Sequence, residues 1–362
     1  MVWAIIVIHA GTAHRATLLL EFLKDFLSIP AAIAMDSHLM DHNGMSCRTG
    51  ADMPLDPLAK RFLVMMAAAS PPERSRPTLS SRREALVKLM QFARVDATAV
   101  TKVDSALPGP AGDIRYRLYA PSGGRAHLPG FIFFHGGGMV AGSIDTHDSV
   151  CAGLAQTTGC RLISVGYRLA PAHKFPAAVE DAIAATAWVS AHAAALGIDA
   201  RRLVVGGDSA GATLSAVVCQ DAKQNAGPPI LLQCLICPVL DFKDTSPSRQ
   251  EFVENHLIDK ATLDADLADY LPDGANPADL RISPLRSIDL AGLPAAIIHT
   301  AEFDPMRDEG NAYADKLMAA GVAVDHVCHD GMIHNFHAMG AILPQAHSVL
   351  RQIGEQVRSV VG

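Results

Sequence analysis

The sequence lacks the marks of several large protein classes. No stretch reaches the roughly 18 continuous apolar residues that a transmembrane helix needs, although 49% of the 362 residues are hydrophobic. No Lys/Arg run suggests a nucleic-acid surface, and the formal net charge of −7 argues against one. Cysteines are few, odd in number and irregularly spaced, at 47, 151, 160, 219, 234, 237 and 328. That favours reduced thiols in a reducing compartment over a disulfide framework. The apolar start, Val2 to Ile8, lacks a basic flank and is followed by His9, His14 and Arg15, so it reads as an extension rather than a signal peptide. A cytoplasmic location is expected. There is no internal repeat.

What remains is an ordinary soluble composition, 19% charged, long enough for one large domain with an accessory one. Residues 1–52 read as an N-terminal extension of unknown role, with a polar, Gly- and Pro-punctuated stretch over 36–57. Apolar positions fit helices over 58–66 and 81–92. From about 113 the text alternates, with Ile114, Tyr116 and Leu118 against Arg115, Arg117 and Tyr119, the pattern of a half-buried strand. Continuous apolar runs follow at 131–134, 161–167, 202–207, 231–240 and 295–304, separated by helical stretches at 148–157, 177–195, 210–224 and 308–320. Such strands without alternation indicate a mostly parallel sheet covered by helices on both faces. Residues 243–281 are too long and polar for a plain crossover, and read as an excursion packing with the helices of 53–95 as a cap. The core is then 96–242 and 282–362.

The chemistry concentrates at strand ends. "GGDSAG" places Ser209 between Gly207 and Gly211 where the strand "RLVVGG" becomes a helix, the setting of a nucleophile elbow. Asp208 precedes the serine. A serine hydroxyl needs a base, and the base needs an orienting acid, both expected downstream. Glu302, Asp304 and Asp308 are candidate acids; His334 and His337 are candidate bases, and spacing does not choose among them. Upstream, "FIFFHGGGMVAG" runs a strand into His135, Gly136, Gly137 and Gly138. Three glycines there make sense if backbone N–H groups must turn toward a developing oxyanion. A phosphate loop fits less well, because no G-K-[ST] follows. His135 is expected to orient the glycine loop by a hydrogen bond.

"HGGG", "YRLAPAHKFPAAVED", "GDSAG", "SPL", "DPMRDEG" and "GMIHNF" occur in the order and context of the bacterial hormone-sensitive-lipase family (family IV), which the chain resembles over roughly residues 53–360. The resemblance implies an α/β-hydrolase fold, with a mostly parallel central sheet and a helical cap, and hydrolysis of short- to medium-chain carboxylic esters. It places the acid on Asp304, the base on His334 and the oxyanion donors on Gly137, Gly138 and Ala210. Met139, Ala172 and "DPM" depart from the family pattern and bear on pocket shape. A small-molecule ester is the implied partner, with no cofactor, no nucleic acid and no stable membrane insertion; a homodimer is compatible with the sequence. The alternative is a non-catalytic ligand-binding protein on the same scaffold, as in plant gibberellin receptors, which have lost the catalytic histidine; His334 is present here.

No metal centre is expected. The cluster His326, Cys328, His329, His334 and His337 is dense, but residues three apart on a strand face opposite ways. Cys234 and Cys237 have the same parity problem and read as inert core thiols. Glu180 and Asp181 flank a helix and read as structural.

Overall fold

The structure, a computed structural model, describes residues 54–69, 77–93, 97, 99–123 and 127–362. The extension of residues 1–52 lies outside them.

Among the described residues eight strands form one sheet: β1 (Val100–Gly109), β2 (Gly112–Pro121), β3 (Leu128–Phe134), β4 (Arg161–Gly166), β5 (Ile198–Asp208), β6 (Leu232–Ile236), β7 (Ala295–Phe303) and β8 (Val324–Ile333). Their order is β1-β2-β4-β3-β5-β6-β7-β8. β1–β2 and β2–β4 pair antiparallel, and every later pair is parallel. Consecutive residues of a strand point to opposite faces. Unbroken burial along 129–134, 162–165, 203–208 and 232–236 therefore means that both faces are covered. The cover comes from α3 (Asp148–Thr158), α4 (Ala177–Ala191), α5 (Ala210–Gln224), α8 (Arg307–Ala319) and α9 (Gln345–Val361).

Helix α5 is buried on every side from Ala210 to Gln220, as a helix inserted against a sheet must be. Its small residues allow that approach, for a methyl group at Gly211 would strike the Phe134 carbonyl oxygen. Tyr119 and the end of α4 differ from the sequence reading. Tyr119 was assigned to the polar side of its strand, yet it is fully buried under α3 and its hydroxyl donates to Asp148 Oδ1 (3.0 Å). α4 ends at Ala191 instead of 195, where the chain turns toward Gly197 at φ +66°.

Four further helices lie over one edge of the sheet: α1 (Pro57–Ala69), α2 (Leu79–Met90), α6 (Pro247–Glu251) and α7 (Lys260–Tyr270). Asp56 caps α1 by accepting from the N–H groups of Leu58 (2.8 Å) and Ala59 (3.1 Å). Thr78 does the same for α2, and Asp259 for α7. Buried Arg82 of α2 ion-pairs with Asp266 and Asp269 of α7. Its neighbour Arg83 donates to the carbonyls of Val140 (2.8 Å) and Ala170 (3.2 Å). Helices from residues 79–90 and 260–270 are thus joined by charge across 180 residues of chain.

Among the described residues no helix is long and apolar enough to cross a membrane. Cys151, Cys160, Cys219, Cys234 and Cys237 are free and buried. Cys328 is disulfide-bonded, which departs from the reduced state expected of every cysteine.

Candidate active site

The strands β3, β5, β6, β7 and β8 end at residues 134, 208, 236, 303 and 333. The next residue in each case is His135, Ser209, Cys237, Asp304 and His334. All five ends lie on one edge of the parallel sheet, with Phe134 beside Gly207 and Asp208 beside Ile236, while β7 runs on past His299, the neighbour of Ile236, to Phe303 beside Ile333. The carboxyl edge of a parallel sheet is where ligands bind in such folds.

Ser209 stands at φ +51° and ψ −118°, a strained conformation for a residue with a Cβ, costing about 1–3 kcal/mol. The surroundings enforce it. Methyl groups at Gly207 or Gly211 would collide with the Phe134 carbonyl oxygen. The Ser209 N–H donates to the Ile236 carbonyl (2.9 Å), and its own carbonyl accepts from Ala212 (3.1 Å). The hydroxyl is left to face His334, whose Nε2 lies 3.1 Å from Oγ. On the other side of the ring, Nδ1 is 2.7 Å from Asp304 Oδ2. A carboxylate only accepts, so Nδ1 carries the proton and Nε2 is an acceptor for the serine hydroxyl. Asp304 is fixed in turn by the Met306 N–H, which donates to Oδ1 (2.8 Å). His334 and Asp304 are buried, as is Ser209 apart from the face it shows to a cavity.

The glycine loop supplies the facing donors. Gly137 and Gly138 have φ of +120° and +64°, so their N–H groups turn in a direction an L-residue rarely adopts. Ala210 is the first residue of α5, and its N–H has no intrahelical partner. The loop is tied down from below. Asp208 Oδ1 accepts from the Gly136 N–H (3.0 Å), and Oδ2 lies 3.3 Å from His147 Nε2. Burial works against the Asp208 anion, but the His147 imidazole hydrogen-bonded to it holds its carboxyl below the usual range. His135 Nδ1 is 2.8 Å from the Gly136 carbonyl, and Tyr167 stacks on the ring and donates to the His135 carbonyl (2.6 Å). Burial pushes the His135 imidazole down to about 3, so it stays neutral.

The other candidates are placed elsewhere. Glu302 accepts from the Gly331 N–H (2.7 Å), and Asp308 accepts from the Ser248 N–H (2.9 Å). His337 is buried with neither ring nitrogen hydrogen-bonded, 3.9 Å from Asp208. His329 meets His299 (2.8 Å), while His326 meets Thr300 (3.1 Å). Residues 299 and 300 face opposite sides of β7, so the histidines of β8 diverge as parity requires. Asp181 accepts from the Arg168 backbone N–H (2.9 Å) and its guanidinium, a structural role.

Sequence reading missed two features. Glu309 is buried, accepts from the N–H groups of Leu240 (2.7 Å) and Asp241 (2.5 Å) and from Arg249 (2.7 Å), and staples the 243–281 segment to the helix that follows Asp304. Burial raises its carboxyl to about 7. Cys237 is a buried free thiol, pushed well above its ordinary range by burial, but it lies past the end of β6 at φ +44°, and its sulfur shares a 4.8 Å cluster with donor atoms of Asp304 and His334. The Pro that follows it in "CP" was the available signal for a strand end.

A cavity of about 630 Å³ opens over Ser209 and His334. Gly137 and Gly138 form part of its floor, while Leu86 and Leu89 of α2 and Leu263 and Leu267 of α7 line it from above.

Residues 131–338 match the family model of the alpha/beta hydrolase fold. The chain is 46% identical over 243 residues to the carboxylic ester hydrolase LipN of Mycobacterium tuberculosis, covering 66% of this chain and 64% of LipN. It therefore spans less than two thirds of that relative. It is 40% identical to the ethyl acetate hydrolase of Pseudomonas putida, covering 67% of this chain and 77% of the relative. Among solved structures, an ester-hydrolase from the metagenome of Lake Arreo, complexed with a bipyridine phosphonate derivative, superposes with a TM-score of 0.81 at 39% identity. It covers 85% of this chain and 99% of that one. A hyperthermophilic esterase from Pyrobaculum calidifontis gives 0.78 at 35% identity, covering 86% and 100%.

Proposed function

The chain belongs to the α/β-hydrolase fold family, in its hormone-sensitive-lipase-like branch, and from that premise we propose that it is a serine carboxylesterase acting on short- to medium-chain esters. The observation that carries the proposal is the continuous Ser209–His334–Asp304 chain at 3.1 and 2.7 Å, opening on a cavity floored by Gly137 and Gly138.

Ser209 Oγ attacks the ester carbonyl while its proton passes to His334 Nε2. Asp304 holds the imidazole in the required tautomer and stabilises the imidazolium that forms. The carbonyl oxygen becomes an oxyanion, received by the N–H groups of Gly137, Gly138 and Ala210. His334 returns the proton to the leaving alcohol, and the acyl group stays on Ser209. Water repeats the attack from the vacated side and frees the acid. No cofactor enters these steps.

In this reading residues 53–95 and 243–281 form the cap. Apolar Leu86, Leu89, Leu263 and Leu267 would hold the acyl or alcohol chain and exclude water, with length limited by the 630 Å³ cavity. The scaffold-only alternative, ligand binding without turnover, is disfavoured by the serine–imidazole contact, which binding alone does not need. A cytoplasmic location is favoured by the five free buried thiols and opposed by the disulfide at Cys328. Assembly as a homodimer remains part of the proposal, read by sedimentation.

The test is a p-nitrophenyl ester series of rising acyl length on the purified full chain. Turnover of the short esters that disappears in Ser209→Ala and in His334→Ala supports the reading. Turnover that persists in both variants, or none on any ester, rejects it.

A further inference from the structure

Of the residues that follow the strand ends, ester cleavage uses Ser209, Asp304 and His334, and His135 lies in the glycine loop; Cys237, after β6, has no part in it. Cys237 follows Ile236 as Ser209 follows Asp208 and Asp304 follows Phe303, so its side chain lies between the nucleophile's strand and the acid's strand. Its backbone is pinned at φ +44°, and its N–H donates to the His299 carbonyl (2.7 Å). One donor atom each from Cys237, Asp304 and His334 lie within 4.8 Å of one another, all three residues being buried. Among the described residues no other group of three such side chains comes together in this way.

We propose that Cys237, Asp304 and His334 form an inhibitory binding site for a borderline-soft dication such as zinc, cobalt or cadmium. A thiolate, a carboxylate and an imidazole are the donor set such ions prefer, and three protein ligands leave a fourth, water-filled position in a tetrahedral shell. The two anionic ligands balance the charge of the ion inside a buried site. Magnesium and calcium, which take oxygen ligands, are a poor match.

The chemistry explains why such an ion would stop the enzyme. The ring nitrogen turned toward Asp304 is Nδ1, so an ion seated between thiol and carboxylate takes the Nδ1 lone pair. The imidazole's single proton then resides on Nε2, which becomes a donor and cannot accept the Ser209 proton. The metal–sulfur bond forms as the thiol releases its proton to solvent, one proton per ion. Nothing is oxidised or reduced, and a chelator restores the starting state. The site deepens the esterase reading in its effect on rate; the binding itself does not depend on turnover.

Two readouts on the full-length protein test this. Titration with cobalt(II) is expected to produce a thiolate-to-cobalt charge-transfer band in the near ultraviolet in the wild type and none in Cys237→Ser. Zinc is expected to inhibit p-nitrophenyl ester cleavage reversibly, magnesium not at all. The half-inhibitory zinc concentration, taken relative to each protein's own metal-free rate, should rise at least about tenfold in Cys237→Ser and Cys237→Ala. Absence of the band in the wild type overturns the proposal, as does equal zinc sensitivity in wild type and both variants. The cobalt spectrum of the wild type needs no variant to fold, and it stands even if no ester is turned over, so failure of this site and failure of the esterase reading are separable.

Discussion

The floor and the roof of the cavity are held by different physics. The floor is backbone: Ser209 is forced to φ +51° by strand register and by glycines at 207 and 211 that leave no room for a methyl group. The roof is side chains. Arg82 spans to Asp266 and Asp269, Arg83 reaches the Val140 and Ala170 carbonyls, and Arg249 meets Glu309. A floor defined by covalent geometry and close packing has one arrangement. A roof joined by ion pairs can be altered at single residues without disturbing the strands below, and so is suited to setting which molecules enter.

The comparison breaks first at the chemistry. Ser209→Ala and His334→Ala should each lower kcat by about 10⁴ to 10⁶, and the double variant should be little worse than either, because the two act as one unit. Steady-state rates on a p-nitrophenyl ester measure this; additive losses would mean that the two residues serve separate steps. Gly211→Ala changes no reacting atom, yet the added methyl must displace β3 or α5. A loss of about 100-fold in kcat, with a lower melting temperature, is expected from the misplaced serine. Full activity in that variant would show the floor to be softer than described.

Arg82→Ala tests the roof. It frees α2 from α7 and leaves Asp266, whose carboxyl burial already raises to about 7, without its partner. Turnover of a short ester should stay within about tenfold of wild type, while the long-to-short substrate ratio changes. An unchanged ratio would remove the cap from specificity.

The smallest effect on rate lies at His337. Its imidazole is pushed down to about 4 by burial, against about 6.5 in the unfolded chain. Above pH 6.5 both states are neutral and stability is full. As pH falls from 6.5 toward 4 the unfolded chain takes a proton that the folded one refuses, and about 3 kcal/mol is lost. His337→Gln should flatten that acid limb in a melting-temperature profile and keep activity within about tenfold. Asp266 and Glu309, raised to about 7, act in the opposite direction, but they do so equally in both proteins and cancel in the difference. Equal slopes would contradict a neutral buried His337.

The floor was far more legible in the sequence than the roof, for the same physical reason. Residues such as Gly207, Gly211 and the triple glycine after His135 are dictated by backbone conformation, and so announce themselves in the text. The Arg82–Asp266 pair joins residues 184 apart and has no local signature. Strand β1 went unread because it is a sheet edge with most side chains exposed, leaving no alternation to see. Tyr119 followed the period of its strand only until α3 covered it. Cys237 is buried as a core thiol should be, but strand parity does not reach it, because β6 stops at Ile236 and a positive φ follows. Choosing Asp304 over Glu302 and Asp308, or His334 over His337, needed more than spacing, since all of these sit within a few residues of a strand end.

The central claim is that Ser209 is the group to which the acyl chain is transferred. The direct measurement is reaction with a fluorophosphonate followed by intact-mass and peptide analysis of the wild type and of Ser209→Ala, with EDTA present throughout. One adduct per chain, mapped to Ser209, formed in step with complete loss of esterase activity and absent from the variant, is the predicted result. An adduct on another residue, or esterase activity that survives full labelling of Ser209, would contradict it.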